Sequence, residues 1–180
     1  MSGPVPAPTL IALLAYLTFI VAHRLFELGV SARNERALRA RGAFEVGRSH
    51  FPLFVALHVA YPMALAFEVL VVGAGPGRFW PLWAALLVAS IALRVAAYRA
   101  LGDRWTARIW VLSGQPPVTR GVYRWLRHPS YLAITIELAA APLLFGAWRT
   151  ALGASSLNLL ALGIRIPIEN RALAEAAAAR

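Results

Sequence analysis

Long apolar segments are the feature that most constrains the fold of this chain. Five of them lie along its 180 residues, at about 8–30, 51–73, 79–98, 130–148 and 150–167. Most approach the roughly 20 residues that a helix needs to cross the hydrocarbon core of a bilayer. Because lipid offers no hydrogen bonds to the backbone, a spanning segment must satisfy its own N–H and C=O groups. The five segments are therefore predicted to be transmembrane helices.

The composition agrees with a membrane protein. Hydrophobic residues make up 59% of the chain and charged residues 14%, whereas a soluble domain is roughly 45–50% apolar. A compact domain of this length has too little interior to bury so much apolar surface. The sequence therefore predicts one all-α, polytopic membrane domain over residues 1–180, without an internal repeat or a second domain.

The basic residues are distributed unevenly between the apolar segments. All 18 are arginine; residues 31–50 carry five of them and residues 99–128 carry six, whereas 73–78 and 148–150 carry one each. Cytoplasmic loops of membrane proteins are enriched in basic residues. We therefore expect a protein of the inner (cell) membrane with the two basic regions and the C-terminus in the cytoplasm and the N-terminus outside. Four or six spans would place one basic region on the wrong side.

Several kinds of site are disfavoured by the residues present. The chain has no cysteine, which excludes disulfides and Cys-ligated metals. Two histidines that bind one metal from the same helix are usually four residues apart, whereas His50 and His58 are eight residues apart, so no metal site is expected. The glycine-rich residues 73–77 link two apolar segments and predict a turn, because a nucleotide-binding glycine loop follows a strand. The basic residues 31–48 lack interleaved aromatics, so we expect lipid headgroups as their partner and no nucleic acid.

Polar residues inside the apolar segments are candidates for function, because burying them in lipid costs free energy. Glu137 lies near the middle of the fourth segment, and Asn158, Arg165 and Glu169 share one face of the last helix. A tight hairpin at 146–149 would let Glu137 meet that face. The alternative is structural: hydrogen bonds within the membrane for Glu137 and Asn158, and an i,i+4 ion pair of Arg165 with Glu169.

Other charged residues lie nearer the ends of the segments, and snorkelling or local pairing accounts for them. They are His23, Glu27, Glu68 and Arg94.

The longest polar stretch reads GDRWTARIWVLSGQPPVTRGVYRWLRHPSY, at residues 102–131. It places cationic, hydrogen-bonding and aromatic side chains at the membrane boundary, where an amphipathic substrate would meet a polar cofactor. Together with RIPIENRAL at 165–173, it resembles the isoprenylcysteine carboxyl methyltransferase family, whose wider group includes membrane phospholipid methyltransferases. The resemblance covers the C-terminal half, and the N-terminal half resembles the short bacterial branch of that family.

The resemblance implies a membrane methyltransferase that uses S-adenosylmethionine. The cofactor would lie in a cytoplasmic pocket formed by the 99–131 loop and the last two helices, and Arg165 would face the substrate. The implied cofactor contacts are Gln115, Pro116, Pro117, Val118, Tyr123, His128, Pro129, Ser130, Tyr131 and Glu169. The family commonly has two acidic residues where this chain has Glu169 and Asn170, and its C-terminal tail is often longer.

The residue types suit methyl transfer from a sulfonium. A carboxylate acceptor is already ionised at neutral pH, so the protein needs only to align the reactants and exclude water. Arg165 can bind a carboxylate through two parallel hydrogen bonds, and the rings of Tyr123 and Tyr131 can face a cationic sulfur. Ser130 and the first amides of the fourth helix can bind an anionic group. A hydroxyl acceptor would need a general base, for which the candidates are His128, Glu137 and His50.

The expected partner is a lipophilic acceptor that bears a prenyl or alkyl chain and enters from the bilayer. Bacteria generally lack prenylated CaaX proteins, so a small lipid, or an alkylated acid or phenol, fits this expectation. Two alternatives are a lipid-amine N-methyltransferase of the phospholipid type and a non-catalytic membrane scaffold or transporter. The sequence leaves the oligomeric state open.

Overall fold

Five α-helices dominate the computed structural model, which describes residues 5–178. They are α1 (Ala7–Ala40), α2 (Phe51–Leu70), α3 (Trp80–Leu101), α4 (Pro129–Leu144) and α5 (Trp148–Ala178). Four helical stretches, containing α1, α2, α3 and α5, are long and apolar enough to cross a membrane, and α4 is a shorter apolar helix of 16 residues. The prediction of an all-α polytopic membrane fold is confirmed. The predicted domain also includes 1–4 and 179–180, which lie outside the described residues.

Two helices extend beyond the predicted apolar segments. The apolar pattern ends α1 near residue 30, whereas the helix continues to Ala40; α5 continues past its predicted apolar segment, 150–167, to Ala178, and the Ala- and charge-rich sequence after residue 164 favours this continuation. The added turns are rich in Ala, Leu, Arg and Glu, which favour the helix in water as well as in lipid. The predicted basic loop at 31–50 is therefore half helical. We call the end of the bundle that carries these extensions the basic end.

A short antiparallel pair of strands lies at the basic end. β1 (Phe44–Val46) follows α1, and β2 (Ile109–Val111) lies within the loop between α3 and α4. Ile109 and Val111 are buried against Ala172 and Ala176 of α5. The strands thus attach this loop, residues 102–128, to the polar extension of α5.

The main apolar core lies in the half of the bundle away from the basic end. Large side chains of α1 and α2, such as Leu13 and Leu65, pack against small residues of α4 and α5, such as Ala141 and Ala154. The exterior is apolar as well, and side chains such as Ile11, Met63 and Leu160 are each 68% exposed. Large exposed apolar surfaces face lipid or a partner protein, and the lengths of these helices indicate lipid.

The α4–α5 connection is a tight turn. Gly146 has a φ of 72°, and a Cβ at this position would collide with the backbone carbonyl of Gly75. Glu68 of α2 accepts hydrogen bonds from the backbone N–H groups of Arg149 and Thr150, at 3.1 and 2.7 Å. Glu68 therefore caps the start of α5 and compensates donors that a helix N-terminus leaves unpaired.

Candidate active site

Tyr131, Arg165 and Glu169 form one hydrogen-bonded cluster near the basic end. Arg165 Nε donates to the Tyr131 hydroxyl at 2.7 Å, and that hydroxyl donates to the Glu169 carboxylate. Tyr131 lies in the first turn of α4, and the other two residues lie one turn apart on α5. The bridging phenol replaces the direct ion pair between Arg165 and Glu169 that was one alternative from the sequence.

Arg165 is buried and held on several sides. Its Nη2 donates to the carbonyl of Ala107 at 2.7 Å, and its guanidinium lies over the rings of Phe54 and Tyr131, at 5.1 and 5.5 Å from the ring centroids. A guanidinium has five N–H donors, and two are used in these bonds. Both hydrogens of Nη1 and the second hydrogen of Nη2 remain for a ligand, which is enough for a bidentate carboxylate contact.

His128 stacks on Tyr131 at the start of α4. The two rings are nearly parallel, at 13°, with centroids 5.2 Å apart, and His128 Nε2 lies 3.0 Å from Asn170 Oδ1. Because an amide oxygen only accepts, this contact places the imidazole hydrogen on Nε2. Asn170, which stands where the family commonly has a second acidic residue, therefore orients His128 and leaves its Nδ1 as the acceptor nitrogen.

The 102–128 loop is fixed to the ends of α1 and α3. Asn34 Nδ2 donates to the carbonyls of Gly102 and Trp105, at 3.2 and 2.8 Å, and the N–H of Ala107 donates to Ser31 Oγ at 2.9 Å. Both α1 side chains are buried. The polar extension of α1 therefore sets the position of the loop where it leaves α3.

Further along the loop, two arginines hold the backbone in place. Arg104 donates to the carbonyl of Pro116 at 3.0 Å, and Arg120 donates to the carbonyl of Ala100 at 2.9 Å. Tyr123 follows in a single 3-10 turn. Burial raises the pKa of the Tyr123 phenol, and the Glu169 carboxylate adds to the rise, so this hydroxyl stays protonated at neutral pH.

Glu45 of β1 fastens the strand pair. It accepts hydrogen bonds from Arg48 and Arg108, at 2.7 and 2.8 Å. Burial acts to raise the pKa of this carboxyl, but the two arginine hydrogen bonds outweigh burial, and the pKa lies below its usual value. The charge on Glu45 thus contributes to holding β1 against β2.

A cavity of about 920 Å³ lies between the loop and the helices. Nine predicted site residues line it: Gln115, Pro117, Val118, Tyr123, His128, Ser130, Tyr131, Arg165 and Glu169. In the part of the chain that the structure describes, Pro116 and Pro129 do not line the cavity. The carbonyl of Pro116 is taken by Arg104, and Pro129 is buried as the first residue of α4.

The hypothesis that Glu137 meets the polar face of α5 is wrong. Glu137 Oε2 accepts from Arg94 of α3 at 2.5 Å, and Glu137 Oε1 accepts from Arg24 of α1 at 3.4 Å. Arg94 also donates twice to Glu27, at 2.6 and 2.8 Å. Two arginines and two glutamates thus form a buried cluster of balanced charge, the arrangement in which membranes tolerate ionised groups.

This cluster changes the assignment of candidate bases. Both carboxylate oxygens of Glu137 are paired with arginine. Among residues 5–178, the cavity lining includes Arg24, Glu27 and Arg94 of this cluster but does not include Glu137. His50 is buried beside Phe54 and likewise lies outside that lining. Only His128, among the three bases proposed from the sequence, faces the cavity.

Some lining residues were not singled out from the sequence. Phe54 and His58 of α2 line the cavity, as do Leu28 of α1 and Val55 and Val59 of α2, which are 47–59% exposed. Leu28, Val55 and Val59 form an apolar wall, which continues from the cluster of Tyr131, Arg165 and Glu169 towards the middle of the bundle. A histidine within an apolar segment is the signal that could have indicated His58.

Comparisons with known proteins found a family model and two bacterial relatives that match this chain. Residues 83–175 match the model of the isoprenylcysteine carboxyl methyltransferase (ICMT) family, and this range contains the loop, α4 and the polar residues of α5. The chain is 32% identical over 159 residues to the uncharacterized protein YpbQ of Bacillus subtilis, which covers 88% of this chain and 95% of the relative. It is 31% identical over 155 residues to an uncharacterized protein of Haemophilus influenzae, covering 86% and 90%. No solved structure matches the chain significantly.

Proposed function

Since the chain belongs to the isoprenylcysteine carboxyl methyltransferase family and is a membrane methyltransferase, we propose that it methylates a lipophilic acceptor with S-adenosylmethionine as donor. The acceptor would bear a prenyl or alkyl chain and react through a carboxylate, or through a hydroxyl. The observation that carries the proposal is the Tyr131 hydroxyl, which joins Arg165 to Glu169 on the wall of the cavity.

The polar half of the cavity fits the donor. When bound, S-adenosylmethionine supplies a methyl group on a positively charged sulfur. Glu169 keeps one carboxylate oxygen that can accept from an amino or hydroxyl group, and Tyr123 and Tyr131 supply ring faces for an adenine or a cation. The first amides of α4, beside Ser130, can bind a carboxylate at the positive end of the helix dipole.

Arg165 is the residue we assign to a carboxylate acceptor. Its free Nη hydrogens can bind both oxygens of a carboxylate and fix its direction. The acceptor is then ionised without a base, and the remaining task of the protein is to align the reactants in a site closed to water. The tail would lie along the apolar wall of Leu28, Val55 and Val59.

For a hydroxyl acceptor, His128 is the base that the geometry favours among the earlier candidates. Asn170 holds its Nε2, so Nδ1 is the nitrogen that could receive a proton. The guanidinium of Arg165 at the same site disfavours a cationic amine, and therefore the lipid-amine alternative.

The proposed location is the inner membrane, with the basic end in the cytoplasm. The arginines of 31–50 and 99–128 lie at the same end of the bundle as the candidate site, which is the distribution expected of a cytoplasmic face. The donor would then reach the site from the cytoplasm and the acceptor from the bilayer.

Calorimetric binding of S-adenosylhomocysteine to detergent-purified protein tests the donor site. We expect Glu169→Ala to weaken binding about tenfold or more, because it removes a charge-assisted hydrogen bond. Glu175→Ala is the matched control, since Glu175 is an exposed glutamate of the same helix. Unchanged affinity in both Glu169→Ala and Tyr131→Ala would place the donor elsewhere, and well-folded protein that does not bind at all would favour the scaffold or transporter alternative.

A further inference from the structure

His58, a residue of the cavity lining, carries an unpaired hydrogen-bond acceptor. Its Nδ1 lies 2.7 Å from the backbone carbonyl of Phe54. A carbonyl only accepts, so Nδ1 carries the hydrogen, and Nε2 of the neutral ring has a free lone pair. His58 lines the cavity, and its Nε2 is buried without a hydrogen-bond partner anywhere in residues 5–178.

Asn158 presents a second such acceptor. Its Nδ2 donates to Thr135 Oγ1 at 3.0 Å, while Thr135 Oγ1 donates its own hydrogen to the carbonyl of Tyr131 at 2.8 Å. The Thr135 oxygen must therefore accept, which fixes the orientation of the Asn158 amide. Asn158 is fully buried and lines the cavity, and its Oδ1 finds no partner in the described part of the chain.

Both acceptors lie deeper in the bundle than Arg165. His58 is one helical turn beyond Phe54, whose ring contacts the Arg165 guanidinium. Asn158 is seven residues before Arg165 on α5, or about 10 Å along the helix. A molecule bound through Arg165 and extending along the apolar wall would therefore pass both acceptors.

Unpaired acceptors in a buried place cost free energy, because their hydration is lost without replacement. Two of them among the residues that line the cavity indicate a ligand group that donates a hydrogen bond. The cavity lining also includes an unpaired donor, since Arg24 lines the cavity and its buried Nε has no partner among the described residues. A hydroxyl has one hydrogen to donate and lone pairs that accept, so it can donate to one of the two acceptors while it accepts from Arg24.

We propose that His58 and Asn158 form a subsite for a hydroxyl group on the body of the methyl acceptor, one to two helical turns deeper than Arg165. The inference deepens the proposed function and depends on the acceptor occupying this cavity. It selects, among lipophilic acceptors, those with a hydroxyl on the body of the molecule over acceptors whose chain is purely hydrocarbon at this depth.

Binding of 4-octylphenol and of its methyl ether, 4-octylanisole, tests the subsite. The two probes differ only in the hydroxyl hydrogen and one methyl group. Calorimetry on detergent-purified protein saturated with S-adenosylhomocysteine should show the phenol binding about tenfold more tightly than the ether, which is the effect of one well-placed hydrogen bond. Equal affinities in the wild type would overturn the proposal.

Substitutions assign the preference to the two residues. His58→Phe and Asn158→Leu keep size and remove the acceptor, and the one that removes the acceptor of the hydroxyl hydrogen should reduce the preference to about twofold or less. His58→Gln keeps an acceptor oxygen and should retain most of it. Ser155→Ala is the control, because Ser155 is a polar residue of α5 that does not line the cavity as described. A preference that survives both His58→Phe and Asn158→Leu would overturn the proposal as well.

The affinity for S-adenosylhomocysteine, measured on the same preparations, separates this inference from the proposed function. It should be unchanged in all four variants, which also shows that they are folded. Loss of donor binding in the wild type would contradict the proposed function, whereas intact donor binding without a preference for the phenol would contradict the subsite alone.

Discussion

The Tyr131 hydroxyl donates to the carboxylate of Glu169 and accepts from Arg165, so a single phenol connects α4 to α5. Arg165 also binds the carbonyl of Ala107 in the loop. Tyr131 therefore couples the position of Arg165, which we assign to the acceptor, to that of Glu169, which we assign to the donor.

Removing only the hydroxyl should weaken this coupling. In Tyr131→Phe the ring remains stacked on His128, but Glu169 and Arg165 each lose a hydrogen-bond partner. We expect the affinity for S-adenosylhomocysteine to fall by about five- to tenfold in calorimetry. Tyr16→Phe is the matched control, because its hydroxyl bonds Tyr61 in the apolar core at 2.9 Å; equal effects of the two substitutions would contradict a role of the bridge in donor binding.

Arg165→Lys should separate acceptor binding from donor binding. Lysine keeps the charge but lacks the planar fork that holds two oxygens and stacks on Phe54 and Tyr131. We expect the protein to bind dodecanoate, a simple lipophilic carboxylate, about tenfold more weakly, while its affinity for S-adenosylhomocysteine changes by less than about threefold. Arg171→Lys, at an exposed position of α5, should leave both affinities unchanged. Equal losses for both ligands would show that Arg165 is not specific to the acceptor.

Glu137→Gln should act on stability rather than on chemistry. It leaves Arg94 and Arg24 with less negative charge in a buried cluster, and breaking such a pair costs about 3–5 kcal/mol. Thermal unfolding in detergent should show a lower Tm, and the double variant Arg94→Met/Glu137→Leu should be less destabilised than the sum of its single substitutions. A variant with wild-type Tm that has lost methyl transfer would restore Glu137 as a candidate base.

Acidification should loosen the strand pair through Glu45. Its pKa in the folded protein is held below the usual value of 4.5 by Arg48 and Arg108, so its ionised form stabilises the fold above that value. This contribution is lost as the pH falls through the lowered pKa. Hydrogen exchange of the β1 and β2 amides should be faster in Glu45→Gln than in the wild type at pH 7, and the difference should shrink below pH 4.5. A difference that persists at low pH would indicate that the charge is not its cause.

The sequence predicts the helices well because a long apolar run has few other structures in a membrane. It also predicts the meeting of Tyr131, Arg165 and Glu169, through the resemblance of their motifs to a family. The partners of Glu137 are a different case, since Arg94 and Arg24 lie on α3 and α1, 43 and 113 residues away, and no local periodicity reports such pairs. The strands β1 and β2 are three residues each, too short for an alternating pattern to stand out.

Asn34 and Ser31 belong to α1, whereas the family match begins only at residue 83. Yet these two side chains bind the first residues of the 102–128 loop, and β1, also outside the matched range, pairs with β2 inside it. The N-terminal third of the chain therefore does more than hold the protein in the membrane, because it also positions the loop of the candidate site. A shortened protein that contains only residues 83–175 would lack the α1 side chains and the β1 strand that hold the 102–128 loop in place. Chimeras with related proteins would therefore have to exchange α1 and the loop together.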